Sequence, residues 1–343
     1  MKTKYFSLVI LLLMLFGIQA NAEKTVKKIY KSYPLSQVSK LELSNKYGTI
    51  QISDIRKDSV VINVEIWVDG SSSRAQRLLD NITVNFNSSG GTASAVTEFR
   101  NEFNNNNQDF GIDFQVSVPE DRELAVEMKY GNVNMNNLTG KGVFDVKYGE
   151  LRAKNLLSPT LAIDLSYSKA SVEATKDLDL VINYSKINLG KGDNLKIDSK
   201  YSGLVIDDCK DVTLDSKYDD FRFKTINNMT TSSMYTGYKI DQIVSSLTLT
   251  NGYGDFTVST IPANFKSIKV SSRYASVRLG IAQGASYKLD GAVRYCDLKH
   301  PAGKLNRDKE DNSYEVHGTI GESSSPTSVV KIESSYGNVS LMP

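Results

Sequence analysis

Apolar and polar residues alternate with a period of two around a regularly spaced tyrosine. With this tyrosine as position 0, position +3 is apolar in all twelve copies, counting Ala170 and Tyr238, and position +5 is apolar in eleven. Position +4, between them, is polar in eleven. Strict alternation is the period of a β-strand with one buried face. The twelve copies are centred on Tyr47, Tyr130, Tyr148, Tyr167, Tyr184, Tyr201, Tyr218, Tyr235, Tyr253, Tyr274, Tyr295 and Tyr336.

The repeat predicts an all-β fold, a parallel β-solenoid of about twelve short coils. From Tyr130 to Tyr295 the tyrosines recur every 17–21 residues, which is the length of one strand–bend–strand unit. Each unit buries little apolar surface alone, and stacked units share a continuous core. An antiparallel meander or sandwich is the alternative. It would place hairpin turns every 8–12 residues and has no reason to keep one tyrosine column.

The alternation changes phase between positions 0 and +3, and this places a bend at position +1. Glycine, which tolerates positive φ, occupies position +1 in five copies. These are Gly48, Gly131, Gly149, Gly254 and Gly337. Position 0 shares the parity of the apolar position −4, so we expect the tyrosines to form an internal ladder of stacked rings. An exposed platform for sugars or peptides is the alternative.

Position −2 shares the inward parity but carries small polar residues in seven copies. Because an unpaired polar group is costly to bury, we expect these side chains to form hydrogen bonds from coil to coil. They are Asn45, Ser199, Ser216, Ser233, Asn251, Ser272 and Ser334.

The first 22 residues have the pattern of a cleaved signal peptide. Lys2 and Lys4 precede an apolar run from Tyr5 to Ile18, and Ala20-Asn21-Ala22 follows as a cleavage site. Fourteen residues are too few to span a bilayer, which needs about 20. We therefore expect an exported protein that is periplasmic, held on the outer surface or secreted, with no membrane span in the mature chain.

Two insertions divide the predicted solenoid. After the signal peptide at 1–22, we place a first coil at 23–53, a strand–helix–strand insertion at 54–121 and the main solenoid at 122–300. An irregular hairpin insertion at 301–328, centred near Tyr314, precedes a terminal coil at 329–343. Within the first insertion, Ser72 is predicted to cap a short helix that runs to Leu79. Its predicted strands are Val60–Val68, Ile82–Phe86, Thr92–Phe99 and Phe110–Val118.

Two outward columns carry opposite charges. Position −1 is basic in seven copies, and position −3 is acidic in six. Alone, the basic row would suit an acidic glycan. With the acidic row beside it, the pattern favours exposed ion pairs, each worth at most about 1 kcal/mol. The candidate binding residues are Lys129, Lys147, Lys200, Lys217, Arg273 and Arg294.

Overall charge and cysteine content exclude several classes. The chain has 41 basic and 39 acidic residues, and removal of Lys2 and Lys4 with the signal peptide leaves 39 of each. This balance argues against nucleic-acid binding. Two cysteines and two histidines leave no ordinary structural zinc site, and we expect no cofactor. Cys209 and Cys296 lie five coils apart in the chain, about 24 Å, which is too far for a disulfide.

No catalytic site is predicted. The densest carboxylate group is best explained as a solvated corner, and a calcium site there is the alternative. It consists of Asp207, Asp208, Asp211, Asp219 and Asp220. His300 and His317 lie in the irregular tail without a nucleophile motif.

Three motifs resemble a known family. These are the corners Tyr130–Met135 and Tyr336–Leu341, the segment Phe114–Pro119 before the array, and an exported first coil followed by a strand–helix–strand elaboration. The chain resembles the bacterial adhesin-like β-solenoid family, related to auto-transporter adhesin head (GIN) domains. The resemblance implies an exported, non-enzymatic adhesin or structural module of the cell envelope, whose partner is a protein or a glycan. The alternatives are a polysaccharide-active β-helix enzyme and an envelope-stress partner of a regulatory membrane protein.

Overall fold

A computed structural model describes residues 24–54, 58–100, 105 and 108–342. The predicted signal peptide lies outside these residues. The all-β parallel β-solenoid is confirmed: 25 strands are joined into one continuous sheet, with a single short α-helix among the described residues. That helix is far too short to cross a membrane, and no other described segment is a membrane-spanning helix.

The N-terminal strands close one end of the solenoid. The elements are β1 (Lys24–Pro34), a 3-10 turn (Leu35–Gln37), β2 (Lys40–Ser53), β3 (Ser59–Asp69), α1 (Ser73–Asp80), β4 (Ile82–Ser89), β5 (Thr92–Phe99) and β6 (Phe110–Ser117). The predicted helix is confirmed, and the Ser72 hydroxyl caps it by accepting a bond from the Ala75 N–H. Strands β5 and β6 pair in parallel with the first coil, β2. Strands β4, β3 and β1 then extend the sheet in antiparallel pairs.

About nine turns follow one another in chain order, from the coil of Tyr130 to that of Tyr274. In the central coils the register advances by 17 residues, so that Lys186 pairs with Gly203 and Gly203 with Asp220. The strands are β7 (Glu123–Leu138), β8 (Gly142–Lys147), β9 (Glu150–Leu156), β10 (Leu161–Ser166), β11 (Lys169–Thr175), β12 (Asp177–Asn183), β13 (Lys186–Lys200), β14 (Gly203–Lys217), β15 (Asp220–Met234), β16 (Gly237–Gly252), β17 (Phe256–Ile261), β18 (Ser267–Arg273) and β19 (Val277–Ile281).

The last coil in the sequence is not the last in space. The remaining strands are β20 (Tyr287–Arg294), β21 (Leu298–Lys299), β22 (Gly303–Glu310), β23 (Ser313–Ile320), β24 (Ser328–Ser335) and β25 (Val339–Ser340). Strand β24 lies in parallel between β18 and β20. The predicted hairpin, β22–β23, packs antiparallel on the outer side of β20. The chain therefore passes over the end of the solenoid and returns to fill a position between two earlier coils.

The core lies between the two arms of each coil. Leu204 and Ile206, at positions +3 and +5, and Leu214, at position −4, are each no more than 2% exposed. The polar residues at position −2 are also buried, as predicted. The Ser233 hydroxyl donates to the Asn251 side chain of the next coil at 3.0 Å, as predicted. The hydroxyls of Ser272 and Ser334 instead donate to backbone carbonyl groups within their own coils. The alternation in the sequence therefore identified the buried face of both arms.

The bend lies at position 0, not at position +1 as predicted. All twelve tyrosines have a left-handed backbone with φ between 51° and 61°, whereas none of the five glycines at position +1 has positive φ. These glycines are needed for a close approach between coils. A Cβ on Gly149 would lie 1.8 Å from the carbonyl oxygen of Gly131 in the preceding coil.

Where position +1 is not glycine, its side chain points inward and links the coils. The Ser168 N–H donates to the Ser185 hydroxyl at 3.0 Å, and the Ser185 N–H donates to the Ser202 hydroxyl at 3.1 Å. The Ser202 N–H donates in turn to the carboxylate of Asp219 at 2.6 Å. Each small polar side chain thus accepts a hydrogen bond from a buried backbone N–H of the preceding coil. Without an acceptor, that N–H would destabilise the fold.

We predict that Gly149→Ala destabilises the protein by at least about 2 kcal/mol, because the new methyl group would overlap the Gly131 backbone. Gly203→Ala is the matched control. A Cβ there would meet its nearest atoms at 3.8 Å, so this change should leave stability nearly unaltered. Urea unfolding of both variants measures the difference. Equal midpoints would contradict the described approach of the two coils.

Candidate functional site: an exposed tyrosine column

The twelve tyrosines form one continuous column of stacked rings. Successive ring centroids lie 4.8–5.1 Å apart, and the ring planes differ by only 2–16°. Eleven such steps give a column roughly 54 Å long, consistent with the spacing of paired strands. Tyr336 stacks between Tyr274 and Tyr295, since its coil lies between theirs.

The column lies on the surface, so the prediction of an internal ladder is wrong. The tyrosines are between 36% and 52% exposed. The prediction carried strand parity through position 0, but a left-handed residue interrupts the alternation. In consequence the side chains at −2 and +1 point inward, while those at −1 and 0 point outward, as Ser216, Lys217, Tyr218 and Asp219 show.

The two ends of the column differ. Tyr47 contacts Phe99 edge-on at 5.8 Å and Phe110 at 5.2 Å, so aromatic side chains of the N-terminal cap cover its outer side. At the other end Tyr295 stacks on Tyr336 at 4.9 Å. Every ring between the ends has a parallel ring on each side. The column therefore presents ring edges and phenol hydroxyls to solvent.

Tyrosine is an energetically unfavourable residue for this left-handed corner. A left-handed backbone costs a non-glycine residue roughly 1–2 kcal/mol, and glycine or asparagine adopts it more easily. Ring stacking returns only about 0.5–1.5 kcal/mol beyond area burial. Because each tyrosine remains between 36% and 52% exposed, neither the backbone geometry nor burial explains why tyrosine occupies all twelve corners.

The candidate basic residues line one side of the column at position −1. Lys147 pairs with Asp145 at 2.8 Å and Lys200 with Asp198 at 3.7 Å. These are the ion pairs between positions −1 and −3 in the described residues. Each pair joins two residues of the same coil. Lys129 and Arg273 instead lie over the tyrosine that follows each of them, 5.2 and 5.3 Å from the ring centroid. Lys217 and Arg294 occupy the same row without a described ion pair.

In the acidic row, carboxylates of neighbouring coils repel one another. Asp164 pairs in register with Asp145 of the preceding coil, so their carboxylates lie side by side. Partial burial, together with the negative charge of Asp145, raises the pKa of Asp164. The adjacent Lys147 opposes this shift. Stacked like charges of this kind explain why a basic row accompanies the acidic one in these coils.

The prediction of a solvated corner is correct for four of its five aspartates. Asp207, Asp208, Asp211 and Asp220 are exposed, but Asp219 is only 6% exposed. Asp219 accepts bonds from the backbone N–H of Ser202 and Lys217 and from the Ser216 hydroxyl. Burial raises its pKa, which these bonds counteract in part. In the described residues no three His, Cys, Asp or Glu side chains are placed to hold a metal ion.

The other reactive side chains are held in structural contacts. Cys209 is buried, and desolvation raises its pKa to about 12, so the thiolate is scarcely populated at neutral pH. Cys296 is a half-buried free thiol. His317 lies 2.9 Å from the Asp290 carboxylate and 3.3 Å from that of Glu315, and His300 contacts the Pro301 carbonyl oxygen at 2.8 Å.

Two grooves flank the column, and sequence reasoning found neither. A groove of about 770 Å³ runs beside Tyr184, Tyr201, Tyr218 and Tyr235. Another, of about 980 Å³, lies on the other side of the column near its C-terminal end. Strands β23 and β24 line the second groove, so its existence depends on the hairpin and the intercalated coil.

The left-handed corner predicts an unusual order of substitutions at Tyr201. Both Tyr201→Asn and Tyr201→Val remove the ring, but only asparagine adopts positive φ readily. We expect the valine variant to be at least about 1 kcal/mol less stable in urea unfolding. Thr213, an exposed strand position, is the control. There we expect Thr213→Val to be more stable than Thr213→Asn. Equal stability of the two Tyr201 variants would contradict the corner geometry.

The buried carboxylate of Asp219 predicts a pH-dependent effect. Because its folded pKa is raised, the folded state binds the proton more tightly than the unfolded state does, and the associated stability is lost as pH rises above about 4. The free energy of unfolding of Asp219→Asn, relative to wild type, should therefore increase between about pH 3 and pH 7. Asp220→Asn is the exposed control. A parallel pH profile for Asp219→Asn and wild type would refute this environment.

One family model matches most of the chain, whereas the solved structures that resemble it are distant. A candidate cell adhesion protein from Clostridium sporogenes is 11% identical with a TM-score of 0.23, over 93% of this chain and 99% of its own. A candidate lipid-binding protein from Parabacteroides distasonis is 11% identical with a TM-score of 0.29, over 94% and 98%. No curated protein matches the chain. The model of the Toastrack DUF4097 family matches residues 38–342, and the chain belongs to that family.

Proposed function

We propose that this protein is an exported, non-enzymatic binding module of the bacterial cell envelope, an adhesin or structural interaction protein that engages a protein or glycan along its tyrosine column. One observation carries the proposal: twelve tyrosines occupy strained corners while their rings remain exposed. Residues held in unfavourable backbone regions cluster at functional sites, because selection must maintain them against a stability cost. Tyrosine is also among the residues that most often dominate binding surfaces.

The proposed location rests on the sequence of residues 1–22. A basic start, an apolar run of fourteen residues and the Ala20-Asn21-Ala22 site form an export signal. We propose cleavage after Ala22, which would leave Glu23 as the first residue. The mature protein would then lie in the periplasm, on the outer surface or outside the cell. A kinship with auto-transporter adhesin head (GIN) domains is part of the same proposal.

The alternative of a polysaccharide-active enzyme receives little support from the carboxylates. Where such an enzyme hydrolyses glycosidic bonds in the usual way, it needs two carboxylates that reach the substrate together. Asp219 is enclosed by donors from Ser202, Ser216 and Lys217, whereas its neighbour Asp220 points outward. Asp219 and Asp220 therefore do not face a common substrate site. A third possibility, an envelope-stress partner of a regulatory membrane protein, is a binding role and would use the same exposed column.

The test compares the native protein with a column variant in its own cells. In Tyr184→Asn/Tyr201→Asn/Tyr218→Asn, asparagine keeps the left-handed corners while three adjacent rings are lost. Asp207→Asn/Asp208→Asn, which changes two exposed residues away from the column, is the control. We expect an envelope or secreted protein whose intact mass begins at Glu23, and an envelope partner that co-purifies with wild type and control but not with the column variant.

Two results would reject the proposal. One is a cytosolic protein that keeps residues 1–22. The other is recovery of the same partners by the column variant and wild type, when circular dichroism shows that the variant is folded.

A further inference from the structure

The groove of about 770 Å³, which we call the central groove, lies beside the middle of the tyrosine column and contains an apolar notch. The notch is formed by Gly203, at position +2 of the Tyr201 coil, and by Val205, at position +4 of the same coil. Val205 is the one apolar residue at position +4 in the twelve copies, and it is 40% exposed. The sequence therefore departs from its own repeat at this notch.

The fold does not require the glycine that forms the notch. Gly203 pairs in register with Asp220 of the next coil, and Asp220 pairs with Gly237, so a second side chain is missing two coils later. An added Cβ would meet its nearest atoms at 3.8 Å on Gly203 and at 3.9 Å on Gly237, and neither residue has positive φ. Every other described glycine either has positive φ or would bring an added Cβ within 3.0 Å of another atom. Glycine weakens a strand, and in a strand it often marks a place where a ligand approaches the backbone closely.

The spacing of the two glycines matches one turn of a polyproline II helix. Two column steps of 4.9 Å each, from Tyr201 to Tyr218 and from Tyr218 to Tyr235, separate the two coils. A polyproline II helix has three residues per turn and rises 3.1 Å per residue, so equivalent side chains recur about every 9.3 Å. In a β-strand they recur about every 6.8 Å. A polyproline II segment along the column would therefore place every third residue over a glycine.

The surroundings of the central groove disfavour two other linear ligands. The strands beneath it, β13, β14 and β15, are paired on both sides, so an extended peptide would find no free backbone groups to add to as a strand. A sugar ring stacks on the face of an aromatic ring. Both faces of Tyr201 are covered, because Tyr184 lies 4.8 Å away on one side and Tyr218 4.9 Å away on the other.

The charge and hydrogen-bonding groups of the central groove suit an uncharged peptide in this conformation. The charged residues of its lining are two of each sign, Lys186 and Arg222 against Asp219 and Asp220, so the lining has no net charge to complement. The column presents phenol hydroxyls, which donate hydrogen bonds. A polyproline II segment makes no internal hydrogen bonds, so its carbonyl groups are free to accept them. Grooves lined with aromatic residues bind proline-rich segments in this way.

From these observations we infer that the central groove binds an uncharged, proline-rich segment of a partner protein in the polyproline II conformation. One apolar residue of the segment occupies the notch at Gly203 and Val205, and the residue three positions along lies over Gly237. The inference rests on the proposed function, because it names the class of partner that the tyrosine column engages.

The test is a fluorescence anisotropy titration of the purified mature protein with a labelled nona-proline peptide. We expect saturable binding to the wild type. Gly203→Phe, which fills the notch, should weaken that binding by about tenfold or more. Val205→Asn, which introduces a polar residue as at position +4 of the other coils, should weaken it by about threefold or more. Circular dichroism establishes that each variant is folded, and if Gly203→Phe is not, the Val205→Asn comparison decides.

Asn132→Phe is the matched control, since it adds the same ring at position +2 of a coil outside the central groove. We expect this variant to bind nona-proline within about twofold of wild type. Because the peptide is uncharged, raising the salt concentration from about 0.05 M to about 0.5 M should change its affinity by less than about threefold.

Three results would overturn the inference: no saturable binding of nona-proline, an equal loss of binding in Asn132→Phe and the notch variants, or tighter binding of the neutral glycan cellohexaose than of nona-proline. In each case the proposed function stands if Tyr184→Asn/Tyr201→Asn/Tyr218→Asn still loses its envelope partner. Retention of that partner by the folded column variant rejects the proposed function itself, whatever nona-proline does.

Discussion

The left-handed tyrosine corner is the constraint on which the rest of this solenoid depends. At each corner one residue with φ near 55° turns the chain and directs its own side chain outward. The next residue then points inward, with a backbone N–H that needs an acceptor from the following coil. Ser185, Ser202 and Asp219 supply that acceptor, whereas Gly149 allows the backbones to approach directly. The corner therefore determines what each neighbouring column must contain.

Both ends of the solenoid are closed by strands that break the repeat. At the N-terminal end β1, β3 and β4 pair in antiparallel fashion, and Phe99 and Phe110 contact the first tyrosine. At the other end the β22–β23 hairpin covers β20. An open solenoid end would present unpaired backbone groups to other chains, and capping strands reduce that risk. After the hairpin, the returning strand β24 inserts between β18 and β20, so Arg273 and Arg294 lie two coils apart.

The sequence was sufficient for the period, the parallel architecture and most of the core. Alternation across +3, +4 and +5 correctly assigned Leu204 and Ile206 to the interior, because both lie in regular strands. It failed at Tyr201 and its equivalents, since parity has no meaning across a left-handed residue. Asp219 was misplaced because it was grouped with the exposed aspartates of one corner, whereas the residue after a left-handed tyrosine points inward. The place of Tyr336 between Tyr274 and Tyr295 in the column could not be predicted either. The order of the coils in the sequence does not determine which strands a returning strand will pair with.

The central claim is that the tyrosines form an exposed column, and nitration with tetranitromethane followed by peptide mass spectrometry tests it most directly. Tyr238 and Tyr287 are internal controls, because they are only 2% and 1% exposed. The account predicts that the column tyrosines of the native protein are nitrated while Tyr238 and Tyr287 are protected until the protein is unfolded. Column tyrosines protected to the same degree as Tyr238 would contradict it.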